Sequence, residues 1–297
     1  MIRRLQDLTI GQNRAIWAWA FLALPVVFYV TIRFYPTAEA FRASFTNWNI
    51  VGRMEYIGLA NYARLVQDPT FWKVIGNTFV YLGLGVSISM LLSFVVAYFL
   101  DRVRFGHGLL RALYFIPHLT TAVAMAWVWR WFYQPPPIGA FNVWLVDLGF
   151  SQMPFLRSTT QALPAVLAPA IWAGIGFQIV IFLAGLKAIP RTYYEAAAID
   201  GAGAWRVLFE VTLPLLRPTI VFLVVTSSIA YLRIFDYVYA MTNGQGGPLD
   251  ATKPLVLMIF ETAFKQFEMG YAATQTIVLF AILLAISLMQ LKLLRSR

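Results

Sequence analysis

Long apolar segments alternate with short polar ones along this chain of 297 residues. Six of the apolar segments are about as long as the ~20 residues that an α-helix needs to cross a bilayer. They predict membrane spans at residues 15–34, 74–100, 112–132, 163–186, 219–240 and 271–291. The pattern therefore predicts an all-α, polytopic membrane protein with six transmembrane helices, in which residues 1–297 form a single transmembrane domain.

The longest polar stretch in the second half of the chain lies at residues 190–214, between the fourth and fifth predicted spans. Ala196 to Ala198 favour a helix, Gly201 favours a break, and apolar residues recur at helical spacing from Trp205 to Val211. Pro214 then ends this helix or begins the next one. The stretch predicts a helix–turn–helix hairpin outside the bilayer, and its apolar side chains need a partner to cover them.

Composition supports the membrane assignment and removes several classes of function. Hydrophobic residues make up 60% of the chain and charged residues only 12%, whereas a soluble domain has roughly a quarter charged residues. The absence of cysteine excludes disulfides, thiol nucleophiles and thiolate metal sites. The net charge of +10 is not gathered in a basic run interleaved with aromatic residues, so nucleic acid is not an expected partner.

The distribution of Lys and Arg gives the spans an orientation, because loops on the cytoplasmic side carry an excess of these residues. Of the 23 Lys and Arg residues, seven lie on the side opposite the chain termini, and three lie within or at the edges of spans. The other thirteen are Arg3, Arg4, Arg14, Arg102, Arg104, Arg111, Lys187, Arg191, Arg206, Arg217, Lys292, Arg295 and Arg297. The seven are Arg42, Arg53, Arg64, Lys73, Arg157, Lys253 and Lys265. This excess places both termini and the hairpin in the cytoplasm.

The hairpin resembles the EAA loop of the binding-protein-dependent ABC importer permeases. It contains Glu195-Ala196-Ala197, then Gly201 six residues after the Glu, Val211 ten residues after that Gly, and Leu213-Pro214. Val211 stands where the family usually has Ile. The resemblance implies the type I ABC importer permease fold, and it implies that the hairpin is a cytoplasmic coupling helix seated in a cleft of a separate ATPase subunit.

The resemblance also implies roles for individual residues of the hairpin. Acidic side chains would face a basic cleft of the ATPase, small residues would allow close approach, and larger apolar residues would supply the buried contact. The residues expected at this contact are Glu195, Ala196, Ala197, Asp200, Gly201, Trp205, Leu208, Leu213 and Pro214. The chain has no phosphate-cradling GxxxxGK[ST] loop, so ATP must be hydrolysed elsewhere. No cofactor is expected on this chain, because ATP and Mg belong to the partner ATPase.

Further segments extend the resemblance over nearly the whole chain. They are residues 45–48, 57–62, 185–190, 235–236, 241–242 and 246–248, the last preceded by an insertion at residues 243–245. These features are commonest in the carbohydrate-uptake branch, among subunits similar to the maltose, glycerol-phosphate and trehalose permeases. The resemblance implies a multi-pass subunit of the bacterial cytoplasmic (inner) membrane. Its expected partners are a second permease subunit, an ATPase dimer, an extracytoplasmic solute-binding protein, membrane lipid and a small solute, here a carbohydrate.

Two charged residues in the fifth predicted span are candidates for the solute path. A charged side chain at the centre of a bilayer costs about 2.5 to 3.5 kcal/mol, so Arg233 and Asp236 should face protein or water. Their spacing of three places them on one helix face, where they can pair. They either form a structural ion pair or contact solute, and the nearby Tyr231, Tyr237 and Tyr239 favour a sugar site.

The fourth predicted span contains a Trp-x-Gly-x-x-aromatic run formed by Trp172, Gly174 and Phe177, followed by Gln178. In the maltose-importing members of the family, such a run and the fifth span contact the sugar. Plain helix packing is the alternative explanation for these aromatic residues. The resulting candidates for the solute path are Trp172, Gly174, Phe177, Gln178, Tyr231, Leu232, Arg233 and Asp236.

Two histidines and two other classes of protein complete the expectations. His107 and His118 lack partners at ligand spacing, so no metal site is expected, and Pro117 predicts a kink in the third span. One alternative function is an intramembrane lipid-linked glycosyltransferase, which needs grouped acidic or His residues at a membrane face. The other is an autonomous secondary transporter, which needs an internal repeat and broken helices.

Overall fold

The computed structural model describes residues 9–50, 52, 54–103 and 106–295, and its regular structure is helical. No β-strand occurs in these ranges, although Thr46 and Tyr56 form an isolated antiparallel bridge. The chain forms two compact units, one of residues 1–65 with 262–277 and one of residues 66–261 with 278–297. The predicted all-α class is confirmed. Outside the described residues lie Arg3, Arg4, Arg53, Arg104, Arg297 and the side chains of His107 and Arg295, all used in the sequence argument.

Fifteen α-helices are described, two of them continued by π-helical segments at Val30–Phe34 and Val207–Thr212. Short 3-10 turns lie at Phe155–Arg157 and Pro248–Asp250. The helices are α1 (Ile10–Tyr29), α2 (Tyr35–Ala43), α3 (Ala60–Gln67), α4 (Pro69–Leu100), α5 (His107–Leu119), α6 (Ala122–Phe132), α7 (Ala140–Asp147), α8 (Ala162–Ala188), α9 (Arg191–Ile199), α10 (Ala204–Arg206), α11 (Leu213–Leu215), α12 (Arg217–Leu232), α13 (Asp236–Thr242), α14 (Leu255–Phe264) and α15 (Met269–Arg295).

Five helical stretches of the described chain are long and apolar enough to cross a membrane. They are Asn13–Ala43, Pro69–Leu100, Ala162–Ala188, Arg217–Thr242 and Met269–Leu293. A sixth span results when α5 and α6, which form a sharply bent pair, are counted together. Each of the six predicted spans therefore has a helical counterpart.

The third predicted span is broken. The axes of α5 and α6 differ by 95°. The predicted kink in the third span is therefore present, but Pro117 lies inside α5, which continues to Leu119, so the bend lies beyond the proline. The break lies at Thr120 and Thr121, because Thr121 is extended and its Oγ1 accepts a hydrogen bond from the Ala124 N–H at 3.4 Å. A new helix N-cap thus interrupts an apolar segment that hydropathy alone predicted as continuous.

The core of the larger unit is built around α8, which packs against α4, α5 and α12. Small residues allow these helices to approach closely, as is usual in membrane helix packing. A Cβ atom at Gly176 of α8 would lie 2.4 Å from the Tyr114 carbonyl oxygen of α5. A Cβ atom at Gly85 of α4 would lie 2.5 Å from the Tyr231 ring of α12. Only glycine fits at these two contacts.

The smaller unit orders the segment that follows the first span. Asn61 Nδ2 donates hydrogen bonds to the carbonyl oxygens of Ser44 and Thr46, at 3.1 and 2.8 Å. The Gly270 N–H donates to the Trp48 carbonyl oxygen at 2.8 Å. Hydrogen bonds within the unit therefore hold this segment in place.

The segment between the fifth and sixth predicted spans is not only a loop, because it includes the ten-residue apolar helix α14. Side chains of α4 hold the turns that lead into it. Asn77 Nδ2 donates to the carbonyl oxygens of Asp250 and Lys253 at 2.8 and 3.0 Å, and Tyr81 Oη donates to that of Thr252 at 3.0 Å. The carbonyl oxygens of Asp250, Thr252 and Lys253 thus have hydrogen-bond donors within the chain.

Candidate solute pathway and coupling surface

A cavity of about 340 Å³, termed here the central cavity, lies within the larger unit. Residues of α5, α8, α12 and α13 and of the short segment between α12 and α13 line it. The structure brings together six of the eight residues predicted for the solute path, namely Gly174, Phe177, Gln178, Tyr231, Arg233 and Asp236. The wall combines aromatic faces, hydrogen-bonding groups and one charge of each sign.

The fifth span is broken at the central cavity. Helix α12 ends at Leu232 and α13 begins at Asp236, with Arg233 to Phe235 between them outside helical geometry. The ion pairs of the described residues do not include Arg233 with Asp236. The prediction that these two residues lie on one face of a single helix is therefore wrong, because the helix is interrupted between them. Both side chains are exposed instead and line the cavity.

Two of the predicted residues lie elsewhere. Leu232 is fully buried, at 0% exposure, in the hydrophobic core of the unit. Trp172 is 43% exposed and its ring lies 5.8 Å from that of Trp129, outside the residues that line the cavity. A role for either residue in solute binding stays a prediction.

Gln178 is the centre of a buried polar network at the cavity wall. Its Nε2 donates hydrogen bonds to Ser89 Oγ at 3.1 Å and Ser227 Oγ at 3.0 Å, and its Oε1 accepts one from Ser93 Oγ at 2.8 Å. The network joins α4, α8 and α12. Because Gln178 is only 4% exposed and its amide is fully engaged, it fixes the helices that frame the cavity.

Sequence reasoning did not place His118, Thr226 or Ser227 in this cavity, although all three line it. The His118 ring stacks on the Phe177 ring at 5.6 Å, and its Nδ1 lies 3.2 Å from the Ala173 carbonyl oxygen. The signal that could have indicated them is that each is a polar residue in an apolar segment. The described residues contain no group of three or more His, Asp or Glu arranged to hold a metal ion.

Residues 190–214 form the predicted hairpin, outside all the candidate spans. Helix α9 is followed by a turn in which the Ala202 N–H donates to the Ala197 carbonyl oxygen at 2.9 Å. Gly201 has φ of +69°, a conformation that strains residues with a side chain. Helix α10, the π-helical segment and α11 then return the chain to α12. The helix–turn–helix prediction is confirmed.

Most of the residues expected at the coupling contact face outward. Ala197 is the exception, because it is 9% exposed and packs within this chain, so Ala196 offers the free small side chain. The exposed residues of the set are Glu195, Ala196, Asp200, Gly201, Trp205 and Pro214, and Leu208 and Leu213 are half-buried.

The hairpin also exposes two large apolar residues that the sequence analysis did not select. Ile199 is 87% exposed and Phe209 is 60% exposed, beside Trp205 at 75%. The rings of Trp205 and Phe209 stack with centroids 6.1 Å apart. Their spacing of four residues was a signal that both lie on one helix face. We name Ile199, Trp205 and Phe209 the hairpin patch, and its exposure outside the spans is typical of a protein–protein contact.

Three curated relatives are similar to this chain over nearly their whole length. The multiple sugar-binding transport system permease protein MsmF of Streptococcus mutans is 31% identical over 280 residues, which cover 93% of this chain and 94% of that protein. The sn-glycerol-3-phosphate transport system permease protein UgpA of Brucella abortus is 31% identical over 278 residues, covering 93% and 94%. The sulfoquinovosyl glycerol transport system permease protein SmoG of Agrobacterium fabrum is 30% identical, covering 93% and 89%.

Two solved structures share the fold. A bacterial ABC transporter involved in the import of the acidic polysaccharide alginate matches with a TM-score of 0.84 and 21% identity, covering 95% of this chain and 96% of the other. The bacterial alginate ABC transporter in complex with an alginate pentasaccharide-bound periplasmic protein matches with a TM-score of 0.82 and 22% identity, covering 94% of each chain. These matches confirm the ABC importer permease fold.

The family assignment rests on most of the chain. Residues 69–296 match the family described as binding-protein-dependent transport system inner membrane component. The resemblance found in the hairpin is therefore confirmed by residues far outside it. This chain belongs to that family, and it is a membrane permease subunit of an ABC transporter whose ATPase is a separate chain.

Proposed function

We propose that this chain is the permease subunit of an ATP-driven importer of sugars or sugar derivatives, glycerol phosphate included. Residues 1–297 act as one permease domain that supplies half of the translocation path, and a second permease subunit supplies the other half. An ATPase dimer binds ATP and Mg, and an extracytoplasmic binding protein delivers the solute. The spans cross the bacterial cytoplasmic membrane with both termini and the hairpin inside.

The observation that carries the coupling proposal is the exposed hairpin patch. Full burial of a large apolar side chain contributes roughly 1.5 to 3 kcal/mol, so a partner that covers Ile199, Trp205 and Phe209 gains substantial binding energy. Glu195 and Gly201, which carry the resemblance to the EAA loop, are exposed on the same hairpin. An ATPase cleft that accepts this hairpin accounts for both features.

A carbohydrate solute is supported by the central cavity. Phe177 and Tyr231 offer aromatic faces, while Thr226, Arg233 and Asp236 offer hydrogen-bonding groups. Pockets of this kind, largely apolar with a few convergent polar groups, suit sugars and their derivatives. The names of the three relatives refer to multiple sugars, sn-glycerol 3-phosphate and sulfoquinovosyl glycerol, which belong to the same class of solutes.

The hairpin and the cavity are connected through two helices. The hairpin lies between the end of α8 and the start of α12, and these same helices carry Gly174, Gln178 and Tyr231 of the cavity wall. Closure of the ATPase dimer would draw the hairpins of the two permease subunits together. The motion would pass along α8 and α12 and expose the cavity to the other side of the membrane, which is alternating access.

A charge reversal in the hairpin tests the proposal. Glu195→Lys should leave membrane insertion intact and abolish ATP-driven sugar uptake in reconstituted vesicles, because it reverses the charge offered to the ATPase. Glu39→Lys, the same change in α2 outside the hairpin, is the matched control and should retain uptake. Full uptake by Glu195→Lys, or transport by the chain without any ATPase, would contradict the proposal.

The two alternative functions are not supported. Membership in a family of permease subunits excludes an intramembrane lipid-linked glycosyltransferase. It likewise excludes an autonomous secondary transporter, because members depend on a binding protein and a separate ATPase chain.

A further inference from the structure

A second cavity, of about 410 Å³, lies in the same unit at the far end of α13 from the central cavity. We name it the two-arginine cavity. Its lining comes from the end of α6, the 3-10 turn at Phe155–Arg157, the end of α13 and the turn that follows α13. The polar side chains among the lining residues are Arg130, Gln134, Arg157, Thr242, Asn243 and Gln245.

The charge of this cavity is unbalanced. Arg130 and Arg157 both line it, and no Asp or Glu is among its lining residues. Neither arginine takes part in the ion pairs of the described residues. The Arg130 side chain is half-buried, so its charge is less screened by water than that of a fully exposed arginine, whereas Arg157 is exposed at the edge of the cavity.

Neutral groups hold Arg130 in place without cancelling its charge. Its Nη1 donates to the Ala240 carbonyl oxygen at 3.4 Å and to Asn243 Oδ1. Its guanidinium also lies 4.8 Å from the centre of the Trp127 ring. A guanidinium oriented in this way keeps other N–H donors for a ligand, and its planar fork matches the oxygens of a carboxylate, sulfonate or phosphate.

The central cavity has a different balance, because its wall contains Arg233 and also Asp236. Helix α13 links the two cavities, with Asp236 at its first residue and Thr242 at its last. At 1.5 Å per residue, these two ends are about 9 Å apart. A solute that moves between the cavities along α13 thus passes from a cationic site to one with both charges.

We propose that Arg130 and Arg157 form a binding site for the anionic group of a small sugar derivative, on the way into the central cavity. The guanidinium groups bind the carboxylate, sulfonate or phosphate, and the amides of Gln134 and Gln245, which line the same cavity, are available to hydroxyl groups, although Gln134 Nε2 also donates to the Arg130 carbonyl oxygen at 3.4 Å. The anion affinity depends only on the geometry of this cavity. That the cavity faces outward, and so receives incoming solute, rests on the proposed function.

The test is a calorimetric titration of the full-length chain in lipid nanodiscs. The probes are glucuronate, glycerol 3-phosphate and 6-sulfoglucose, each compared with neutral glucose or glycerol. At least one anionic probe should bind, with an affinity that falls as salt is added, and its neutral counterpart should bind much more weakly. Arg157→Gln should weaken binding of that probe by about tenfold to a hundredfold, the usual range for a hydrogen bond to a charged group.

Two further variants keep the test decisive. Arg42→Gln, which removes an exposed charge from α2, should leave anion binding unchanged. Arg130→Gln should also weaken it, but this variant loses hydrogen bonds to Ala240 and Asn243, so Arg157→Gln is the primary comparison. Equal binding of neutral and anionic probes, no anion binding, or unchanged affinity in Arg157→Gln would overturn the proposal.

The same variants distinguish the anion site from a contact with the solute-binding protein, and they distinguish failure of this proposal from failure of the proposed function. If Arg157→Gln weakened only capture of the solute-binding protein, the arginines would serve a protein carboxylate and the anion site would be refuted. If anion binding required Arg157 but no ATPase bound the chain, the proposed function would fail while the anion site stood.

Discussion

The hairpin at residues 190–214 exposes large apolar side chains, whereas the core around Gln178 buries polar ones. In the core, the buried Gln178 amide finds serine partners on two neighbouring helices, so a polar side chain is satisfied inside a membrane protein. In the hairpin, Ile199 and Trp205 are 87% and 75% exposed although they are apolar. The Gln178 amide therefore has its hydrogen-bond partners within this chain, whereas the apolar side chains of the hairpin need a partner protein to cover them.

The largest expected effect comes from removing the aromatic part of the hairpin patch. Replacing Trp205 and Phe209 together by Ala should weaken capture of the ATPase by about thirtyfold or more, since truncation of a hot-spot aromatic costs roughly 2 kcal/mol. ATP-driven uptake should fall with it. The melting temperature should stay unchanged, because both rings are exposed. Titration of the immobilised permease with the ATPase measures the first effect, and thermal unfolding measures the second.

A matched variant shows whether any exposed tryptophan would have the same effect. Trp144 in α7 is 64% exposed and lies outside the hairpin. Trp144→Ala should capture the ATPase as well as the unchanged chain does. Retained capture in the double variant, or an equal loss in Trp144→Ala, would remove the contrast between the hairpin and the rest of the surface.

A smaller effect, on stability, is expected in the core. Gln178→Leu leaves the hydroxyls of Ser89, Ser93 and Ser227 without their shared amide partner. We expect a loss of about 1 to 3 kcal/mol of unfolding free energy, the usual cost of leaving a buried polar group unsatisfied. Replacing the three serines by Ala in the same chain should recover part of it. Thermal unfolding of both variants is the measurement, and an unchanged melting temperature in Gln178→Leu would show that the network does not stabilise the core.

The smallest effect concerns a polar cluster outside the spans. Lys253 Nζ lies 2.5 Å from Asp250 Oδ1 and 2.8 Å from Glu261 Oε2. Burial lowers the pKa of Lys253, but the hydrogen bonds and charges of the two carboxylates outweigh it and raise the pKa above the ordinary 10.5. Because the folded pKa is raised, the stabilisation is fully present below pH 10.5 and is lost as the pH rises through the folded value.

Lys253→Met should therefore lower stability at neutral pH, and its difference from the unchanged chain should shrink in strongly alkaline solution. Melting temperatures of both proteins across this pH range provide the comparison. A difference that stays constant with pH would mean that packing, not charge, holds the cluster. The expected result would mean that polar groups outside the spans also have partners within the chain. The exposure of the hairpin would then not follow simply from its position outside the spans.

The amino-acid sequence was sufficient to predict the membrane spans, because the length of an apolar segment determines whether it can cross a bilayer. Helix α4 begins at Pro69, before residue 74 where the second predicted span begins, because Asp68 accepts a hydrogen bond from the Thr70 N–H and Pro69 occupies the first turn. Helix α14 could not be separated from a loop by apolar length, because ten residues are too few to cross a bilayer.

The two breaks, at Thr120–Thr121 and at Arg233 to Phe235, could not be predicted from hydropathy. Apolar residues surround both breaks, and no proline lies at Thr120–Thr121 or at Arg233 to Phe235. The second break decides the geometry of the site, because it separates Arg233 from Asp236. Six of the fourteen residues that line the central cavity were nevertheless predicted, since charged and aromatic residues in apolar segments are a local signal. His118 was missed because its partner Phe177 is distant in sequence.

The central claim is that the hairpin lies on the cytoplasmic side and is covered by an ATPase. The chain has no cysteine, so Ile199→Cys introduces a unique labelling site at 87% exposure. A membrane-impermeant maleimide should label it in inside-out vesicles, should not label it in intact spheroplasts, and should be blocked by the bound ATPase. Tyr56→Cys, at a residue that is 78% exposed in the predicted outer segment, should show the reverse sidedness. Labelling of Ile199→Cys from outside, or no labelling from either side, would contradict the account.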